Sequence, residues 1–217
     1  MIQRVAILCL VLLLSVSAGI KKTLPEEVVS SNDALTSITK ELYIKTGLKG
    51  VLSYEAFQRA VQGVKQYSPA KTIVAVCDFS KPSTQERFFV IDMQKGEVLL
   101  KSLVAHGKNS GELMATTFSN QPQSLQSSLG FYQIGEVIQS PKHGIALLLE
   151  GLEKGVNHNA RQREVIIHGA DYVSEAFIAA HGRLGRSFGC PALPNEVMKK
   201  AAPLLCNGAL LYVFAKQ

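Results

Sequence analysis

From residue 71 onward the chain is organised in short apolar runs divided by polar turns. Residues 72–77 (TIVAVC), 87–91 (RFFVI) and 97–104 (EVLLKSLV) are rich in β-branched and aromatic side chains, which marks them as strands. Residues 92–96 (DMQKG) join the second run to the third as a hairpin turn does. Further runs at 130–134, 145–149, 165–168 and 209–214 predict four more strands. Ahead of them the period changes. Residues 53–69 (SYEAFQRAVQGVKQYSP) carry Phe57, Ala60, Val61 and Val64 at helical spacing, with Ser53 as N-cap and Pro69 as the stop. Short helices are also expected at 33–46, at 171–182 (DYVSEAFIAAHG) and at 194–202 (PNEVMKKAA), the last with Asn195 as its cap. The pattern therefore predicts a mainly β domain with a few peripheral helices (α+β) over residues 51–217. A linker with a short helix precedes it at 19–50. The polar residues concentrate in loops of the second half.

The first eighteen residues have another character. Arg4, the apolar run 5–14 and the small-residue sequence Val16-Ser17-Ala18 read as a secretory signal peptide over 1–18. Ser15 and Ser17 interrupt the run before it reaches the roughly 18 apolar residues that a membrane anchor needs. An exported protein of the periplasm or cell envelope with no stable membrane anchor is expected. Cys9 leaves with the signal, so no lipid anchor is expected either. The formal charge of +6 is spread along the chain, which suits anionic surroundings such as a cell wall. With no tryptophan, few aromatics and no basic run, a nucleic-acid partner is not expected.

Cysteine arithmetic directs attention to one position. Without Cys9 the chain keeps Cys77, Cys190 and Cys206, an odd number, so at least one thiol stays unpaired or pairs outside the chain. Cys77 sits in an apolar strand and Cys206 just ahead of an Asn-Gly turn, both structural settings; a disulfide between them stays open. Cys190 ends the glycine- and arginine-rich stretch GRLGRSFGC, residues 182–190. A cysteine nucleophile works as the thiolate, and an imidazole that takes its proton lowers the thiol's pKa. His168, at the end of a strand and followed by Gly169, is the candidate base. Arg183 and Arg186 would favour the thiolate, and Gly189 would let the backbone amides of Gly189 and Cys190 approach a developing oxyanion. Taken singly, a histidine ending a strand and a cysteine beside glycine both have ordinary structural explanations. Zinc is the rival use of these residues. The spacings of His106, His143, His158, His168 and His181 match no usual ligand pattern, and no metal or cofactor is expected. His-Gly steps at 106, 143, 168 and 181 instead suggest strand ends, one or two of which line a cleft.

The segments VIIHGADYVS (165–174) and GRLGRSFGCPALP (182–194) resemble the L,D-transpeptidase catalytic domain of YkuD type, and within it the murein L,D-transpeptidase branch. The likeness extends upstream through HGKNSGE, TTFSNQPQSLQSSLGFYQIG and HGIALLLEGLEKGVNHNARQREVIIHGA, and covers roughly residues 50–215. It implies a β-sandwich-like catalytic domain and a cysteine acyltransferase that cleaves the bond to the terminal D-alanine of a peptidoglycan tetrapeptide stem. The acyl group then passes to an amine of a second stem, or to water in an L,D-carboxypeptidase. A catalytically silent wall-binding protein is the other reading. By position the resemblance makes Cys190 the nucleophile, His168 the base, Gly189 the glycine beside the oxyanion amides and Ser187 the hydroxyl residue three before the cysteine. His143, Arg183 and Arg186 are further candidates to bind the stem. Two positions depart from the wider family: Phe188 stands where a histidine is usual, and Ala192 where an arginine is usual.

Overall fold

The computed structural model describes residues 26–216, with side chains from residue 35 onward. The predicted signal peptide, Cys9 and its cleavage site lie outside the described residues. The chain divides into a unit ending at Thr36 and a larger one from Ser37. Of the first, the described part is the start of helix α1 (Glu26–Lys45), which continues into the second. The short helix expected at 33–46 is thus longer at its N-terminal side.

The larger unit follows as α2 (Tyr54–Tyr67), β1 (Ile73–Asp78), β2 (Phe88–Asp92), β3 (Glu97–Ser102), β4 (Gly130–Ser140), β5 (Gly144–Gly151), β6 (Ile166–Gly169), α3 (Glu175–His181), β7 (Ala192–Leu193), α4 (Asn195–Leu205) and β8 (Leu210–Phe214). All eight strands join one sheet in the order β3-β2-β1-β8-β4-β5-β6-β7. Neighbours are antiparallel except β1 with β8 and β6 with β7. The mainly β architecture with peripheral helices is the one expected. Its sandwich-like core comes from a single curled sheet: inward residues from both arms, such as Val90 of β2 and Leu147 of β5, share one cluster with Met198, Ala201 and Leu205 of α4.

β1 up to Cys77, and all of β8, are apolar because both of their faces are covered. Ala75, Cys77, Leu211 and Val213 face the α4 side, while Val74, Val76, Leu210, Tyr212 and Phe214 face α2. Helix α2 meets them through Ala56, Phe57 and Ala60, with Ser53 Oγ accepting the Ala56 N–H at 3.1 Å as its cap. It ends at Ser68, in the left-handed conformation just before Pro69. Gly63 permits the closest approach: a Cβ there would stand 2.1 Å from the Phe131 ring.

Three local expectations change. Helix α4 is preceded by Pro194 as its cap residue, and Asn195 is the first helical residue. Its side chain donates to Asp171 Oδ1 at 2.6 Å instead of capping the helix. Strand β4 runs six residues beyond the expected end at 134, past a bulge between Ile134 and Val137, and with β5 forms a hairpin arm. Its turn carries Lys142 and His143. The two-residue strand β7 was not foreseen, because Pro191 and the shortness of the run hide it. All three described cysteines are free, so Cys77 and Cys206 form no disulfide.

Candidate active site

β6 and β7 bring the two principal candidates together. His168 is the register partner of Ala192, and its N–H points to the Pro191 carbonyl at 3.4 Å, so Cys190 lies two residues ahead of the strand that borders His168. The loop holding Cys190 is tied on several sides. Ser187 N–H donates to His106 O at 3.0 Å, and Ser187 O accepts from Lys108 N–H at 2.7 Å. Ser187 Oγ donates to Cys190 O at 2.6 Å and accepts from Gly189 N–H at 3.1 Å. Ser127 Oγ donates to Gly189 O at 3.0 Å. Gly189 takes φ +129°, and a Cβ there would meet Gln126 O at 2.8 Å, so glycine is required on both conformational and steric grounds.

These contacts reassign two expected roles. Ser187 is buried, and its hydroxyl is engaged within the loop, not turned to the cavity that Cys190 lines. The Gly189 amide is spent on Ser187 Oγ. The Cys190 amide lies beside its own sulfur, where it favours the thiolate.

Cys190 is half-buried and lines a cavity of about 640 Å³ with Lys142, His143, Arg163, Glu164 and Phe188. Its Sγ–H points to the Glu164 carbonyl at 3.8 Å; Glu164 adopts φ +55°, which is unusual for a residue with a side chain. Burial pushes the thiol up from its ordinary value. The Ile166 amide and the Arg163 guanidinium oppose that rise.

His168 is 2% exposed and is not among the residues lining this cavity. Its Nδ1 lies 2.9 Å from the Gly169 carbonyl; as a carbonyl only accepts, the proton sits on Nδ1 and Nε2 keeps its lone pair. Burial lowers its pKa to about 4, so the ring is a neutral base at pH 7. His143 stacks on it at 3.8 Å between ring centroids and does line the cavity. No hydrogen bond joins Cys190 to His168 among the described residues. The expected thiolate held by imidazolium is therefore not the resting arrangement: thiol and imidazole are both neutral.

The arginines are sorted differently from expectation. Arg183 and Arg186 both grip Glu112, at 2.8 and 2.6 Å, and neither lines the Cys190 cavity. The half-buried cation at the site is Arg163, a residue the sequence did not single out. Phe188 is 63% exposed at the cavity mouth, with the Lys142 ammonium 5.1 Å from its ring centroid. Tyr172, also not foreseen, packs on Gly185; burial raises the pKa of its hydroxyl, and Cys190 adds to the rise.

The remaining histidines are dispersed. His106 is buried against Arg87, His158 is held by Asn120, and His181 stacks on Phe177. Among the described residues no three His, Cys, Asp or Glu side chains converge as metal ligands.

No curated protein matches the chain. Among solved structures it is similar to an L,D-transpeptidase from Mycobacterium smegmatis, at 17% identity, with 66% of this chain and 59% of that one covered and a TM-score of 0.41. It is also similar to the helical cell shape determining protein of Campylobacter jejuni, at 15% identity, with 69% and 49% covered and a TM-score of 0.43. L,D-transpeptidase 3 from Mycobacterium tuberculosis is similar at 14% identity, with 67% and 61% covered and a TM-score of 0.40. The chain thus spans about half to three-fifths of the length of these proteins. The model of the L,D-transpeptidase catalytic domain matches residues 48–214, a span that includes both His168 and Cys190. On that match over most of its length, the chain belongs to the L,D-transpeptidase catalytic domain family.

Proposed function

We propose that this protein is a peptidoglycan L,D-transpeptidase that works through an acyl-enzyme on Cys190. The observation that carries the reading is the arrangement at Cys190: a thiol at a cationic cavity, with its own amide beside the sulfur and a neutral histidine on the nearby strand β6. The thiol sulfur attacks the carbonyl carbon of the stem amide, and its proton passes to His168 Nε2. The Cys190 N–H receives the oxyanion of the tetrahedral intermediate. Collapse of that intermediate breaks the C–N bond, and the proton returns from His168 to the departing amine of D-alanine, leaving a thioester. An amine of a second stem then attacks the thioester carbonyl; the C–S bond breaks, the amine's proton passes by way of His168 to the departing Cys190 sulfur, and the acyl group leaves as a new amide.

The charges around the cavity suit such a donor. Among the described residues Lys142 and Arg163, which line the cavity, have no carboxylate partner, whereas stem peptides carry carboxylates. A peptidoglycan substrate also places the enzyme outside the cytoplasm, and residues 1–18 support export.

Purified mature protein incubated with a tetrapeptide stem and followed by intact-mass spectrometry tests the reading. The expected result is D-alanine release and a stem adduct on the wild type but not on Cys190→Ser, with His168→Gln slowing adduct formation at least a hundredfold. Adding a D-amino acid should yield an exchanged stem. If the product is only the trimmed stem, the enzyme is an L,D-carboxypeptidase. If no adduct and no product form, the protein is a wall binder and the proposal falls.

A further inference from the structure

We infer that Arg163 is the positioning residue of the Cys190 site: its guanidinium, clamped against Gly189 by the 119–128 loop and free of any carboxylate partner, supplies the cation that steadies the Cys190 thiolate. The inference deepens the transpeptidase reading and rests on Cys190 being its nucleophile.

The clamp is specific. Arg163 Nη1 donates to Ser119 O at 2.8 Å and to Ser128 Oγ at 2.5 Å; Nη2 donates to Gln126 O at 2.6 Å and to Ser124 Oγ at 3.3 Å. All four acceptors are neutral, so they fix the guanidinium plane without cancelling its charge. Arg59, Arg161, Arg183 and Arg186 each have a glutamate within 4 Å, and Arg87 is buried against the Val104 and Lys81 carbonyls. Among the described arginines, Arg163 is the one whose charge is left for the cavity. Its Nη2 reaches the backbone beside the nucleophile: a Cβ on Gly189 would stand 3.2 Å from it. The same Gln126 carbonyl that Nη2 holds is the atom a Gly189 Cβ would strike, so guanidinium, loop and nucleophile backbone form one unit.

The other charged and titratable groups facing Cys190 do not replace it. Glu164, on the same segment, is exposed and opposes the thiolate; Arg161 is exposed and paired with Glu150. Lys142, on the β4–β5 turn, is exposed and lies over Phe188. His143 and His168 are kept neutral by burial, and Tyr172 carries no charge at neutral pH. Arg163 is half-buried, so its charge is screened less than those of the exposed groups, and a guanidinium stays protonated throughout.

The test is the pH dependence of iodoacetamide alkylation at the Cys190 peptide, read by mass spectrometry so that Cys77 and Cys206 do not interfere. Arg163→Gln keeps an amide for the loop but removes the charge. It should raise the midpoint by about one pH unit and slow alkylation at pH 7 roughly tenfold. Arg163→Lys should recover at least half of that shift. Ser127→Ala loosens the loop but leaves the charge, and should leave the midpoint within a few tenths of the wild type. Equal midpoints for Arg163→Gln and wild type, or Arg163→Lys no better than Arg163→Gln, overturn the inference. A loss in which Ser127→Ala shifts the midpoint as far as Arg163→Gln shows a mechanical role only and overturns it too. If the midpoints respond as expected but no stem ever acylates Cys190, the transpeptidase reading fails while the Arg163 coupling stands. If stems acylate Cys190 with the midpoints unmoved, the reverse holds.

Discussion

Acid should destabilise this protein through two histidines that the fold keeps neutral. His106 and His168 are 1% and 2% exposed, and burial is the main reason each falls from 6.5 to about 4. For His106 the Arg87 guanidinium, with Nη2 2.7 Å from Nδ1, adds to the effect; for His168 the neighbouring His143 and Lys142 add and the Gly169 carbonyl opposes. In the unfolded chain both rings take up protons near pH 6.5, whereas in the folded chain they do so only near pH 4. Between these values the unfolded state binds more protons, so stability is complete above pH 6.5 and falls as the pH drops through the window. At about 1.4 kcal/mol per pH unit, each histidine withdraws about 2 kcal/mol by pH 5 and about 3 kcal/mol by pH 4. Urea unfolding at pH 7.5 and pH 5 should therefore differ by about 4 kcal/mol, before most carboxylates titrate. His168→Gln should remove about half of that difference. A flat profile between pH 7.5 and 5, or His106 and His168 imidazole resonances of the folded protein titrating near pH 6.5, would refute the reasoning.

Other substitutions separate support from chemistry. Gly189→Ala forces a side chain into φ +129° and places its Cβ 2.8 Å from Gln126 O; adduct formation with a stem should drop at least tenfold and the unfolding free energy by about 1–3 kcal/mol, measured by mass spectrometry and urea titration. Ser187→Ala removes the hydroxyl that accepts from Gly189 N–H and donates to Cys190 O, and should cost about 1–3 kcal/mol in the same unfolding assay while also slowing adduct formation. Phe57→Ala empties a fully buried site beneath α2 and should cost about 3–5 kcal/mol in urea with the alkylation midpoint of Cys190 unchanged. Glu112→Ala releases Arg183 and Arg186 from an exposed carboxylate; the urea midpoint should stay within error of the wild type, and a clear drop would show that this network matters more than its exposure indicates.

The sheet strands were legible because their neighbours bury both faces, which demands near-continuous apolar runs such as residues 73–77 and 210–214. The α2 helix was legible because it buries one stripe and caps itself locally with Ser53. The ends were not. β4 continues beyond Ile134 because β5 pairs with it past a bulge, and β7 exists because β6 and the segment at Ala105 lie beside it. Those partners are remote in the chain, so the local sequence carries no mark of them. Asn195 shows the same limit at one residue: a good cap by type, it is drawn into a bond with Asp171 across 24 positions.

The site divides along the same line. Sequence by itself determined the chemistry on offer: an odd cysteine beside glycine, a histidine ending a strand, and a family pattern linking the two. Tertiary structure alone decided which charge, amide and ring serve them. Arg183 and Arg186 lie closer in sequence to Cys190, yet they spend their charge on Glu112, while Arg163, 27 positions away, is held against Gly189 by a loop from elsewhere in the chain. Ser187 takes up the Gly189 amide, and the β4–β5 turn lays His143 over His168. Residue type sets what a side chain can do. Electrostatics and hydrogen bonding act through space and fall off over a few ångströms, so which residues meet depends on the folded path of the chain and not on their order along it.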